Sequence, residues 1–230
     1  MTPEALAERV LYRDADVLVL DKPAGIAVHR APGAGFTLEP LLPALSFGRK
    51  TPPALAHRLD RDTSGCLVLG RHPQALRRLM ALFAAGDVDK TYWAVVERAP
   101  QGLAGVIERP ILKVRRAGTW QMIADPSGQP AVTAWRVLGQ GDGASWLELK
   151  PRTGRTHQIR IHCAGLGCPV VGDSTYGARP AVGERLHLHA RGVRFQLGPN
   201  EPAVEILAPP PLHMRPALTA CGYEIAEASP

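Results

Sequence analysis

Apolar runs separated by turn-forming residues predict a chain rich in β-strands. The run 17–20 is entirely apolar and leads into the Pro- and Gly-containing segment 21–25, which is typical of a buried strand that enters a turn. A second short apolar run, at 66–70, predicts another buried strand. Further strands are predicted at 91–96, 132–138 and 146–150, with a strand pair at 186–190 and 193–197.

Three helices are predicted, two between these strands and one after the last of them. Proline suits the first turn of a helix, so Pro73 is predicted to open one over 74–85. Its apolar positions follow helical spacing and are Leu76, Leu79, Met80 and Phe83. A second helix is predicted to start after Thr156 as N-cap and to end near 165–167, and a short third one lies near 214–221.

Two segments carry neither pattern. Residues 30–53 hold five prolines and three glycines, which predicts a long surface loop, and residues 98–130 are predicted to be flexible. Strands, long loops and isolated helices alternate without a linker-like stretch. We therefore expect one α+β domain over residues 1–230.

Composition removes several classes of protein. The 23 glycines and 22 prolines among 230 residues exclude a helical bundle, and 45% hydrophobic residues exclude wholesale disorder. No apolar run is long enough to span a bilayer, and the acidic N-terminal residues do not resemble a secretory signal. The four cysteines lack C-x-x-C spacing, so we expect reduced thiols and a cytoplasmic protein without a membrane partner.

The net charge of +6 favours a polyanionic partner. The basic residues are 22 arginines and 5 lysines. A planar guanidinium suits bidentate recognition of phosphate, although a GC-rich genome would produce the same bias.

Residues 57–65 form the densest chemical segment. Asp60 and Asp62 lie two residues apart between Arg58 and Arg61, just before the predicted strand at 66–70. Paired carboxylates could bind a metal or perform acid–base chemistry. The alternative is turn formation, because Asp62 and the following Thr63 and Ser64 can bond nearby backbone N–H groups.

A second segment concentrates positive charge at a predicted helix start. Residues 150–160 contain four cations, including Arg152 and Arg155, and no acid. The N-terminus of a helix adds its own positive end, so an anion would bind well here. His157 and Arg160 are spaced to share one helix face. The alternative is a solvated basic surface.

Tyr92 and Trp93 point to opposite faces of a predicted strand. One of them is expected to enter the core, and the other could stack on a base or offer a hydroxyl. The usual zinc spacings and the glycine-rich nucleotide motifs do not occur in the sequence, so we expect neither a metal nor a cofactor.

Taken together, these segments resemble an RluA-type RNA pseudouridine synthase. Five motifs follow in the family's order over about residues 12–215. They are D-K-P-A-G at 21–25, H-R-L-D-R-D-T-S-G at 57–65, K-T-Y-W-A at 90–94, G-R-T-H-Q-I-R-I-H at 154–162, and V-G-D with Y-G at 171–177 followed by L-H-L-H-A at 186–190.

The resemblance implies an isomerase that converts uridine in RNA into pseudouridine without metal or cofactor. Asp60 matches the essential carboxylate of the family. Arg160 matches the arginine that pairs with it, and Tyr92 matches the residue that stacks on the uracil. Covalent attack on the sugar, covalent attack on the base and removal of the C2′ proton all fit an aspartate at this position.

The resemblance also implies that the target uridine is flipped out of the RNA. We expect Arg58 to fill the vacated stack, and Arg61, Arg152 and Arg155 to contact phosphates, with His57 among the RNA-binding residues. The substrate would be a stem-loop of rRNA or tRNA.

The implied fold is a mixed, mainly antiparallel sheet in two halves, flanked by helices and long loops, with a central RNA-binding cleft. About 11 residues precede Tyr12, so we expect the short form without an S4 module, acting as a monomer. The alternative functions are an RNA-binding or RNA-remodelling protein whose isomerase chemistry is secondary, and a metal-dependent nuclease that uses Asp60 and Asp62.

Overall fold

The computed structural model describes residues 1–30, 35–116, 118–141 and 143–224. Over these residues the strands are β1 (Val10–Arg13), β2 (Val17–Lys22), β3 (Ala54–Leu55), β4 (Ser64–Gly70), β5 (Asp89–Glu97), β6 (Ala104–Glu108), β7 (Ile111–Arg116), β8 (Thr119–Ala124), β9 (Val132–Gly141), β10 (Ala144–Pro151), β11 (Leu188–Phe195) and β12 (Val204–Leu207). The α-helices are α1 (Pro3–Ala7), α2 (Pro73–Ala85), α3 (Gln158–Gly165) and α4 (Arg215–Ala220). Two 3₁₀ helices cover Glu39–Leu45 and Leu212–Met214.

The chain divides into two compact units. The first contains Met1–Lys90 and His189–Pro209, and the second contains Thr91–Leu188 and Pro210–Pro230. The predicted α+β class with a mainly antiparallel sheet is confirmed.

The sheet of the first unit has the strand order β1-β2-β4-β11, with β3 added to β4 and β12 to β11. β2 runs antiparallel to β4, whereas β11 runs parallel to β4. One face of β2 and β4 packs on Leu79 of α2, and the residues of the opposite face, such as Leu18 and Leu67, are fully buried as well. Burial on both faces explains why these strands are continuous apolar runs in the sequence.

The second unit contains the antiparallel order β5-β10-β9-β6 and a separate hairpin of β7 and β8. Its main core joins Ala94 and Val96 of β5 to Leu147 and Leu149 of β10, and α3 packs on it through Ile159 and neighbouring residues. No helix among the described residues is long and apolar enough to cross a membrane.

The two segments predicted as irregular are more ordered than expected. Within 30–53, the 3₁₀ helix Glu39–Leu45 and its flank bury Leu38 and Leu45 completely, while residues 31–34 lie outside the described part of the chain. The prediction of a flexible segment at 98–130 was wrong, because β6 joins the sheet and β7 pairs with β8. Scattered Gly and Pro hid the strand pattern.

Three local predictions also need correction. The predicted strand pair at 186–190 and 193–197 is one continuous strand, β11, because Gly192 stays in register with Leu207 of β12. α3 begins after His157, whose backbone is left-handed, and not after a Thr156 cap. Met80 is 51% exposed although it belongs to the predicted apolar stripe of α2.

Candidate active site

The loop before β4 carries Asp60 and is anchored on both sides of it. Leu59 and Thr63 are buried, and the Thr63 N–H donates to the Asp60 carbonyl oxygen at 3.2 Å, which closes a tight turn. Asp60 itself is half-buried, whereas Arg58 and Arg61 are exposed. The loop therefore presents one carboxylate from a fixed backbone.

Lys22 ties this loop to the turn that follows β2. Its fully buried ammonium donates to three backbone carbonyl oxygens, those of Pro23 (2.8 Å), Ile26 (2.8 Å) and Arg61 (2.9 Å). The Gly25 N–H donates to the same Arg61 oxygen at 2.9 Å. Two donors of segment 21–25 thus hold the backbone one residue beyond Asp60.

Burial lowers the pKa of Lys22 to about 8, and the negative charges of Asp62, Asp60 and Asp21 limit that shift. The ammonium consequently carries its proton at neutral pH. The three hydrogen bonds and the nearby carboxylates compensate a charge that burial alone would make very costly.

Ser64 and His189 fasten the beginning of β4 to β11. Nδ1 of His189 lies 2.8 Å from Oγ of Ser64, and Nε2 lies 3.2 Å from the Ala208 carbonyl oxygen. A carbonyl oxygen only accepts, so Nε2 carries the hydrogen and Nδ1 accepts from the Ser64 hydroxyl. Both side chains are buried, which fixes the strand four residues after Asp60.

His57 is held within the first unit. Its ring stacks on Phe83 with centroids 4.2 Å apart, and its Nε2 accepts the Val68 N–H at 3.0 Å. Burial lowers the pKa of His57 to about 4, so the ring is neutral at pH 7. It offers no positive charge to a phosphate in this state.

In the second unit, Arg160 of α3 forms a two-pronged salt bridge with Asp173. Nε and Nη2 of Arg160 donate to the two carboxylate oxygens at 2.7 and 2.6 Å, and the side chains are 9% and 0% exposed. Burial would raise the pKa of Asp173, but the bonds and charge of Arg160 and the N–H groups of Thr175 and Tyr176 outweigh it and lower that pKa. The guanidinium therefore has a fixed direction.

His157 and Tyr176 extend this network. The Tyr176 hydroxyl donates to the Met122 carbonyl oxygen at 3.1 Å and lies 2.9 Å from Nδ1 of His157. With its single hydrogen used on Met122, the hydroxyl accepts from a protonated Nδ1. The Arg160 guanidinium lies 5.1 Å from the centre of the Tyr176 ring.

Tyr92 and Trp93 do point to opposite faces of β5. Tyr92, opposite Leu149 of β10, packs at the edge of the main core. Trp93 makes edge-to-face contacts with Trp146 and Tyr223 at centroid distances of 4.7 and 5.5 Å. Both side chains are half-buried.

The four arginines predicted to bind RNA are all exposed. They are Arg58, Arg61, Arg152 and Arg155. Arg61 faces the adjacent Asp62 at 3.4 Å, and Nε of Arg155 donates to the Pro130 carbonyl oxygen at 3.1 Å. Within the described ranges, no group of three or more His, Cys, Asp or Glu side chains could hold a metal ion.

Sequence reasoning missed the residues that support the predicted ones. Lys22, Asp173, Tyr176 and His189 all lie in the quoted motifs, but the sequence alone assigned them no task. The pairing of Lys22 with the 57–65 loop joins positions 39 residues apart, and Ser64 and His189 are 125 apart. The sequence contained one signal for these contacts, which is that Lys22 directly follows the buried apolar run 17–20 and Asp21.

The sequence matches a known family over most of its length. Residues 16–165 match the model of the RNA pseudouridylate synthase family. An uncharacterised RNA pseudouridine synthase of Zymomonas mobilis is 45% identical over 83% of this chain and 88% of its own length. Ribosomal large subunit pseudouridine synthase C of Vibrio cholerae is 36% identical over 91% of this chain and 68% of that protein.

Solved structures give the same result. Human RNA pseudouridylate synthase domain containing 4 is similar with a TM-score of 0.82 and 28% identity, over 97% of this chain and 96% of that one. Human RNA pseudouridylate synthase domain containing 1 is similar with a TM-score of 0.73 and 32% identity, over 92% and 86% of the two chains. Motifs, fold and relatives agree, and the chain belongs to the RluA-type family of RNA pseudouridine synthases, which isomerise uridine in RNA.

Proposed function

We propose that this isomerase acts on particular uridines in structured RNA, in rRNA or tRNA, with Asp60 as its catalytic carboxylate. The observation that supports Asp60 most is the way its loop is held. Lys22, Gly25 and the Ser64–His189 pair fix the backbone that follows one half-buried carboxylate, and the buried Leu59 precedes it. Such rigidity is what a reaction with strict geometric demands needs.

The reaction breaks the bond from N1 to C1′, turns the uracil and joins C5 to C1′. No electrons are gained or lost overall, because the product is an isomer of the substrate. An aspartate can serve by attacking C1′, by attacking the base, or by taking the C2′ proton. All three routes need an ionised carboxylate with a fixed direction.

Arg160 and Tyr92 enter this proposal through the motif match. Arg160 would be the cation that pairs with Asp60, and the Asp173 bridge keeps its guanidinium in one orientation. Tyr92 would stack on the uracil and take part in removing the C5 proton. Both belong to the second unit, and Asp60 belongs to the first.

RNA binding is assigned to the exposed arginines. Arg58, two residues before Asp60, would fill the stack that the flipped uridine leaves, at a flipping cost of a few kcal/mol. Arg61, Arg152 and Arg155 would contact phosphates. We revise the role of His57 from RNA contact to positioning, because its ring is neutral and engaged with Phe83 and Val68.

The test is the Asp60→Asn variant, which keeps the shape and removes the charge. RNA from cells that lack the gene is incubated with the parent or the variant protein, and newly formed pseudouridine is quantified. We expect the variant to form none above background, while the control Asp62→Asn, two residues further on, keeps most of the activity. Parental activity in Asp60→Asn would refute the catalytic assignment of Asp60.

We also propose that the protein is a monomer and acts in the cytoplasm. A monomer is expected to sediment with the mass of one 24.7 kDa chain at all concentrations tested. A mass that rises with concentration would show that the chain self-associates and would contradict the monomer.

A further inference from the structure

The hairpin of β7 and β8 exposes an unusual side chain. Trp120 is 63% exposed, although an indole ring is among the largest apolar surfaces that a side chain can bury. Tryptophan is enriched among the residues that contribute most of the binding energy at interfaces.

The strand register shows which residues share the face of Trp120. Trp120 lies opposite Arg115, and Met122 lies opposite Lys113. Residues directly opposite in an antiparallel pair share one face of the sheet. Lys113 is diagonal to Trp120, and its Nζ lies 4.6 Å from the ring centroid.

The base of the same face is anchored to the candidate site of the second unit. Ile111 is buried with Ile161 of α3, and Met122 and Tyr176 pack against them. The Met122 carbonyl oxygen accepts the Tyr176 hydroxyl, and Tyr176 in turn lies under Arg160. Trp120 is two residues from Met122, which places it about 7 Å further along the strand.

The hairpin carries one sign of charge. Residues 111–124 contain Lys113, Arg115 and Arg116 and no acidic residue, a local charge of +3. All three basic side chains are exposed. An aromatic ring among cations matches single-stranded nucleic acid, whose bases stack and whose phosphates are negative.

We propose that Trp120 is a stacking platform for an unpaired base of the substrate RNA, with Lys113 and Arg115 holding the adjoining phosphates. This inference rests on the proposed function and names the RNA feature that the hairpin recognises. Lys113 covers one face of the indole and holds the ring in place, and the base stacks on the other face. A protein partner would be expected to meet this surface with acidic side chains, and a second copy of this basic hairpin would be repelled by it.

The first experiment measures binding to a 12-nucleotide oligouridylate and to a fully paired RNA duplex of the same length. Trp120→Ala is expected to weaken oligouridylate binding about 10-fold and to change duplex binding little, because a paired base offers no open face. Trp120→Phe should keep most of the affinity. The matched control is Leu103→Ala, which truncates another exposed side chain (71%) and should bind like the parent.

Tryptophan fluorescence gives a second readout. Oligouridylate should quench the parent, whose other tryptophans (Trp93, Trp135 and Trp146) are buried or half-buried. Trp120→Phe should bind without that quenching. Parental affinity of Trp120→Ala for oligouridylate would overturn the proposal. Equal losses of affinity for oligouridylate and for the duplex would overturn it too. So would a parent protein that is a dimer and becomes a monomer in Trp120→Ala.

The Asp60→Asn variant separates this inference from the proposed function. It should bind oligouridylate and be quenched like the parent while forming no pseudouridine. If Asp60→Asn remained active, the catalytic assignment would fail and the binding results for Trp120 would be judged by themselves.

Discussion

At the scale of single residues, buried ionic groups hold the candidate catalytic machinery in place. Lys22 and the Arg160–Asp173 pair are buried charges, which proteins tolerate only with full compensation. Each is compensated by several short hydrogen bonds. Because buried charges of this kind contribute little to stability, we infer that their role is to position the reacting groups.

Removing the charge of Asp173 should be severe. Asp173→Asn removes the negative charge that holds two N–H groups of the buried Arg160 guanidinium, which is expected to cost about 3–5 kcal/mol in the free energy of unfolding. Urea denaturation measures this cost. Adding Arg160→Met to Asp173→Asn should recover part of the stability and none of the isomerase activity. A single variant as stable as the parent would contradict the role of this pair.

Lys22→Met tests the clamp on the Asp60 loop. It leaves the carbonyl oxygens of Pro23, Ile26 and Arg61 without the ammonium, at an expected cost of about 1–3 kcal/mol for the unmet acceptors. We expect kcat to fall more than RNA affinity, because the loop that carries Asp60 loses its anchor. Unchanged kcat in a folded Lys22→Met protein would show that the clamp does not position the loop.

At the scale of elements, the close contact of β4 with β11 sets the position of the catalytic loop. Gly65 has a φ of +104°, and a Cβ there would lie 2.2 Å from the Ala190 carbonyl oxygen. Only glycine allows the two parallel strands to approach so closely at this point.

Gly65→Ala is therefore expected to destabilise the protein more than backbone strain alone would. Gly102→Ala is the matched control, because Gly102 also has a positive φ (+87°) but nothing within 4 Å of its added Cβ. Strain alone should cost about 1 kcal/mol, and the clash should add at least as much again. Equal melting temperatures of the two variants would contradict the close contact.

The lowered pKa of His57 predicts how the stability of the first unit depends on pH. The folded ring has a pKa of about 4, below the ordinary value of 6.5, because burial disfavours its charged form. Between about pH 6.5 and 4 the unfolded chain binds a proton that the folded chain does not, so stability falls as the pH falls, by up to about 3 kcal/mol.

Urea denaturation of the parent and of His57→Phe between pH 7 and 4 checks this dependence. His57→Phe keeps an aromatic ring against Phe83 and loses the titrating group, so its stability should vary less over this range. It should also be less stable at pH 7, because the Val68 N–H loses its acceptor. Identical pH profiles would show that His57 does not cause the dependence.

At the scale of the whole molecule, the sequence predicted the local features well. The strand at 17–20, the helix opened by Pro73 and the position of Asp60 just before a buried strand were all correct. These features depend on apolar spacing and turn residues within one segment. The order of the motifs also indicated the RluA-type family, and the match to the family model confirms it.

Features that depend on distant residues could not be predicted. Nothing near Arg160 indicates that Asp173, rather than another carboxylate, takes two of its N–H groups. The hairpin at 111–124 was missed because its alternating runs, 112–115 and 119–122, are only four residues long and lie among the scattered Gly and Pro of segment 98–130. The buried contact of Ile111 with Ile161 of α3 joins residues that are far apart in the sequence.

The exposed arginines predict how the molecule treats different RNAs. Arg58→Ala should reduce modification of a structured stem-loop more than of a single-stranded oligonucleotide, because a paired uridine needs its vacated place filled. Relative turnover on the two RNAs is the measurement. Arg155→Ala serves as the control, since a lost phosphate contact should weaken both about equally. Equal losses for Arg58→Ala would remove its stack-filling role.

The most direct measurement is a pseudouridine map of all cellular RNAs at nucleotide resolution, made with the gene, without it, and with only the Asp60→Asn form expressed at the parental level. Certain uridines are expected to lose their modification on deletion, regain it with the parent chain and stay unmodified with Asp60→Asn. Restoration of those pseudouridines by Asp60→Asn would contradict the catalytic role of Asp60.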